Sequence, residues 1–199
     1  MTIQTLTPPN RSSAPWPAQG KWRYEDYCRL PEDGWRYEIL EGVLHMTPAP
    51  STRHQATVGN LSFLLRSYLQ DHPMGRLFFA PTDVLLPDNL AAPVQPDLLL
   101  VKNEHLERVR EAYIDGAPDW IAEVLSPSNW IDDRREKYRL YAAAGVTEYW
   151  IVDLPQETIE VFHLQGSGYE LLGRFQAGET MRSILFPEFA PEVDEILAE

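Results

Sequence analysis

Two acids stand where apolar strands should run. Asp97 lies in VQPDLLLV, just before Leu98, Leu99, Leu100 and Val101, and Glu123 lies in WIAEVLSPS, among Trp120, Ile121, Val124 and Leu125. A carboxylate removed from water costs several kcal/mol unless it is paired or binds a cation. Two neighbouring carboxylates would also repel and raise each other's pKa. A hard divalent cation relieves both problems, because Mg²⁺ favours one or two carboxylates with water and phosphate oxygens. The pair therefore predicts a Mg²⁺ or Mn²⁺ site. On this reading, Asp97→Asn raises the stability of the metal-free protein. The structural alternative stays open: Asp97 after Pro96 caps a turn, and Glu123 faces water by strand alternation.

Lys137, in DDRREKYRLY, is the third candidate. As a helical residue one turn from Asp133, it would form an ordinary surface ion pair. Alternatively, its helix follows Glu123 after a short break and brings the ammonium to the acids. There it would stabilise charge on a phosphoryl oxygen.

These residues need strands and helices to hold them. WRYEDYCRLP reads as a short helix ended by Pro31, and WRYEILEGVLHM as two strands with a turn at Glu41-Gly42. Apolar positions recur at helical spacing from Ser51 to Gln70, with Ser51 or Thr52 as the cap. RLFFA, TDVLLP and VQPDLLLV follow as strands, then a polar stretch from Lys102 to Gly116, expected to be a short helix plus loop. The Glu123 strand spans Asp119 to Leu125 and is broken by Ser126-Pro127-Ser128-Asn129. The helix WIDDRREKYRLYAAA then ends at Gly145. TEYWIVDL, ETIEVFHL and YELLGRFQ are further strands, and PEVDEILAE a closing helix. This order predicts an α/β (α+β type) fold, a mixed sheet flanked by helices. Residues 1–20, rich in Pro, Ser and Thr, are expected to form a disordered arm, and residues 21–199 a single domain.

Composition narrows the function classes. The net charge of −13 weighs against broad adhesion to DNA or anionic membrane. No apolar run reaches the length of a membrane span, and the N-terminus lacks the basic start and apolar stretch of a secretory signal. The single cysteine, Cys28, excludes an internal disulfide and fits a reducing, cytoplasmic setting. Glycine-rich phosphate loops, HExxH and GxSxG are absent, and the five histidines show no ligand spacing.

The combination of Pro96-Asp97 with a hydrophobic strand bearing Glu123 resembles the PD-(D/E)XK nuclease signature. RYEILEGVLHMTPAPSTRHQ, VQPDLLLV, APDWIAEVLSPSN and DDRREKYRLYAAAGVTEYWIVD together resemble the Uma-two family of restriction-endonuclease-like proteins, from about Trp22 to Val161. The resemblance implies a restriction-endonuclease-like core and metal-dependent phosphodiester hydrolysis in a nucleic acid, with DNA expected. It implies Asp97 and Glu123 as metal ligands. The usual lysine, two residues after the second acid, is Leu125 here, so the role passes to Lys137 on the following helix. Glu38 and His54 fall in family motifs as additional site candidates; otherwise Glu38 is an exposed strand residue and His54 a bystander. Arg108, Arg110, Arg134, Arg135 and Arg139 would supply a local basic patch, and a homodimer would suit two cuts on a duplex. The competing reading is an inactive binding or assembly module that keeps the fold.

Overall fold

The computed structural model describes residues 15–125 and 132–198, without the side chains of 132–134. Most of the proline-rich arm and the break at Ser126-Pro127-Ser128-Asn129 thus lie outside the described residues. A short helix α1 (Tyr24–Tyr27) precedes the hairpin of β1 (Arg36–Leu40) and β2 (Val43–Thr47). Helix α2 (Thr52–Asp71) follows, capped by the Ser51 side chain, which accepts from the His54 N–H. Then come β3 (Gly75–Phe79), β4 (Asp83–Leu85), β5 (Leu98–Lys102), β6 (Tyr113–Asp115) and β7 (Trp120–Leu125). Helix α3 (Asp132–Ala144) leads to β8 (Glu148–Asp153), β9 (Thr158–Gln165), β10 (Gly168–Gln176) and the last helix α4 (Val193–Leu197).

Six strands form the central sheet, in the order β10-β9-β8-β7-β5-β3. Only β7 and β8 pair in parallel, so the sheet is mixed. A parallel pair needs a crossover, and α3 is part of it. The fold is therefore α/β, a central mixed sheet flanked by helices. Period-two alternation divides the strands between two cores. Leu98, Leu100, Trp120, Ala122, Trp150 and Val152 pack with Leu61 and Leu65 of α2. Leu99, Val101, Ile121, Tyr149 and Ile151 pack with Leu140 and Tyr141 of α3.

Two expectations change. The stretch from Lys102 to Gly116 holds a 3₁₀ turn (Asn103–Arg108), but also strand β6, which pairs in parallel with β4 outside the central sheet. Three residues are too few to carry an alternation signal, and the partner lies far off in sequence. Strand β5 begins at Leu98, so Asp97 flanks it rather than lying within it.

Candidate active site

Strand β7 is buried at all six positions, being paired on one side with β5 and on the other with β8. Glu123 therefore has no water-facing side, and the edge-strand alternative is excluded. Its carboxylate sits on the face of Ile121 and Leu125, the face that α3 covers. Lys137 Nζ donates to Glu123 Oε1 at 3.1 Å, and the Tyr141 hydroxyl donates to the same oxygen at 2.6 Å. Both donors come from α3, four residues apart, so one helical face delivers both. The surface-pair reading of Lys137 also fails: the residue is 2 % exposed.

The lysine's second partner is Glu38 of β1, whose two oxygens each lie 3.1 Å from Nζ. Glu38 is buried rather than solvent-facing, and its Oε1 also accepts from the Gln95 backbone N–H at 2.7 Å. Burial pushes the Glu38 carboxyl up, but Lys137, Arg36 and the Gln95 N–H outweigh it and hold the pKa below its usual range.

Asp97 is engaged by three donors. Arg36 Nη1 lies 3.1 Å from Oδ1, while His54 Nε2 at 3.1 Å and the Val124 N–H at 2.9 Å reach Oδ2. An ionised carboxylate only accepts, so His54 donates from Nε2. Burial raises the Asp97 pKa, yet the His54 hydrogen bond, Arg36 and the Val124 N–H bring it down to about 2. Mutual repulsion between the acids, expected to push their pKa values up, does not prevail at Asp97. The expected gain in stability from Asp97→Asn assumed an uncompensated acid; with these three donors present, the expectation becomes a loss. Arg36 is itself held charged: burial works against it, but Glu38, Asp97 and Glu123 raise its pKa further. Burial and the two glutamates raise Tyr141 well above the usual phenol range, so it stays a donor.

The structure thus brings Asp97, Glu123, Lys137, Glu38 and His54 into one buried ionic cluster. Sequence reasoning missed Arg36 and Tyr141. Two spacings could have found them: Arg36 lies two residues before Glu38 on the same strand face, and Tyr141 one turn after Lys137. The basic patch is weaker than expected. Arg139 pairs with Glu41, Arg110 with Asp115, and Arg108 donates to the Ala117 carbonyl. The side chains of Arg134 and Asp133, like Ser126, lie outside the described residues.

Carboxylates on neighbouring segments are the donor kind that a hard divalent ion prefers. Among the described residues, however, no three His, Cys, Asp or Glu side chains stand together as metal ligands. The carboxylates are instead balanced by the protein's own cations. Beside them a cavity of about 600 Å³ opens, lined by Asp97, Arg36, Gln95 and Trp35 among others. No helix among the described residues is long and apolar enough to cross a membrane.

No curated protein matches the chain significantly. Among solved structures it is similar to a crystal structure of a "putative nuclease belonging to DUF820" from Anabaena variabilis ATCC 29413. The TM-score is 0.71 at 19 % identity, covering 88 % of this chain and 97 % of that one. At that identity the likeness speaks for the fold. The model of the Uma2 family, described as "Putative restriction endonuclease", matches residues 24–194. With most of its length matched, the chain belongs to the Uma2 family.

Proposed function

We propose that the protein is a metal-dependent endonuclease that hydrolyses phosphodiester bonds in DNA. The observation that carries this reading is the meeting of Asp97, Glu123, Glu38 and buried Lys137 beside an open cavity, in a chain of a restriction-endonuclease family. Asp97 and Glu123 would hold Mg²⁺ or Mn²⁺. When bound, the ion supplies water activation and charge neutralisation at the phosphoryl group, together worth several kcal/mol. Lys137 supplies fixed positive charge where the phosphate becomes more negative. Tyr141 orients Glu123 through its short hydrogen bond, and Arg36 and His54 orient Asp97. In this reading the enzyme works in the cytoplasm, and a homodimer would make paired cuts.

Calorimetry with Mn²⁺ and Mg²⁺ on the wild type and Asp97→Asn tests the metal. Binding by the wild type alone is expected, with Mg²⁺-dependent nicking of plasmid DNA that the variant lacks. One observation favours a second reading. Asp97 and Glu38 already accept hydrogen bonds at both oxygens, so the cluster is also competent as a metal-free structural centre. An inactive binding module then predicts no metal heat in either protein and no nicking.

A further inference from the structure

The cavity beside Asp97 has walls of two kinds. Trp35, Tyr27 and Pro50 give it an aromatic and apolar side, while Arg36, Gln55 and Asp97 give it a polar one. Trp35 is 44 % exposed, so a large aromatic surface at the cavity is open to a partner from solvent. Its backbone N–H is fixed by Asp33 Oδ1 at 3.2 Å. Arg36 lines the same cavity with a part-exposed side chain, and its Nη1 donates to Asp97 Oδ1 at 3.1 Å. A part-exposed guanidinium at a cavity wall suits a phosphate oxygen.

We propose that this cavity receives one unpaired base of a single-stranded nucleic acid, with Trp35 as the stacking face and Arg36 on the adjoining phosphate. The inference rests on the nuclease reading above, in which the reacting phosphate lies at Asp97. Three observations favour an unpaired strand. The volume lies in the range of sites that enclose small molecules. A duplex keeps its bases stacked, so a concave aromatic site can take a base only outside the helix. Stacking is also a source of affinity that needs few cations, and few are on offer. The chain has 17 basic residues against 30 acidic ones. Several of its arginines are spent on carboxylates: Arg53 on Glu157, Arg110 on Asp115 and Arg139 on Glu41. Duplex binding by neutralising a row of phosphates would need those charges.

The test is fluorescence anisotropy on the full chain, with a labelled 12-mer of thymidylate and a 12-base-pair duplex. Ca²⁺ replaces Mg²⁺ so that binding is read without cleavage. The single strand is expected to bind at least tenfold tighter than the duplex. Trp35→Ala should weaken it about tenfold, and Trp35→Phe should keep most of the affinity. Because Trp35 is exposed, both variants should melt within a few degrees of the wild type. Equal affinity for the two forms, or unchanged binding by Trp35→Ala, overturns the inference. If the wild type still nicks duplex plasmid with Mg²⁺, the nuclease reading survives that failure. No binding and no cleavage of either form removes both.

Discussion

At the scale of single residues, the centre is three buried acids held by two cations, a histidine and a tyrosine. Removing a cation is costlier than removing an acid, because it leaves like charges facing each other. Lys137→Met strands Glu38 and Glu123 without their shared ammonium, and should lower the unfolding free energy by about 3–5 kcal/mol in urea titrations. Asp97→Asn leaves Arg36 and His54 poorly partnered and should cost about 1–3 kcal/mol at pH 7. Its pH dependence has a definite sign. The folded pKa of about 2 lies below the unfolded value near 3.9. The stabilisation is therefore complete above about pH 4 and lost as pH falls towards 2, an effect on the order of 2 kcal/mol. Urea titrations of metal-free wild type and Asp97→Asn from pH 7 to pH 2 should converge in stability. A gap that stays constant would show that Asp97 is not held ionised by its neighbours.

At the scale of elements, the β1–β2 hairpin carries two members of the centre, Arg36 and Glu38, and must be locked against the rest. Its turn is one lock. Gly42 has φ of +76°, and an added Cβ would lie 2.7 Å from the backbone of Gly20. The Gly42 carbonyl accepts from the Trp22 N–H at 2.9 Å. Gly42→Ala combines a strained φ with a backbone clash, and should cost about 1–3 kcal/mol, read as a lower urea midpoint at unchanged slope. Much of this level was legible in the sequence. The Glu41-Gly42 turn, the Ser51 cap, the helix end at Gly145 and the long strands all announce themselves through local chemistry. What was not legible is pairing at a distance. Nothing in RYEIL says that Arg36 meets a residue 61 positions later. Nor does the polar stretch after Lys102 say that three of its residues join β4. The acids were conspicuous because they broke an apolar run, whereas Arg36 and Tyr141 sat in stretches where their types are ordinary.

At the scale of the whole molecule, the charge of −13 limits how a polyanion can be held. With so many arginines paired internally, one or two phosphates are the expected footprint. The slope of log K against log salt for DNA should then be about −1 to −2, measured by anisotropy between 50 and 300 mM salt. A slope of −5 or steeper would require a basic surface that the paired arginines cannot provide.

Chain order gives the ionic centre a further consequence. Glu38, Asp97 and Glu123 all precede Lys137. A ribosome delivers the N-terminal part first, so the two glutamates emerge before the ammonium they share. Asp97 has Arg36 waiting for it, but Glu38 and Glu123 do not have Lys137 until the crossover helix is made. The first 125 residues therefore stay short of their final packing during synthesis, exposing the apolar strands β5 and β7. A nascent chain stalled before α3 should be a client for chaperones, and release should require both the lysine of α3 and strand β8, the second partner of β7.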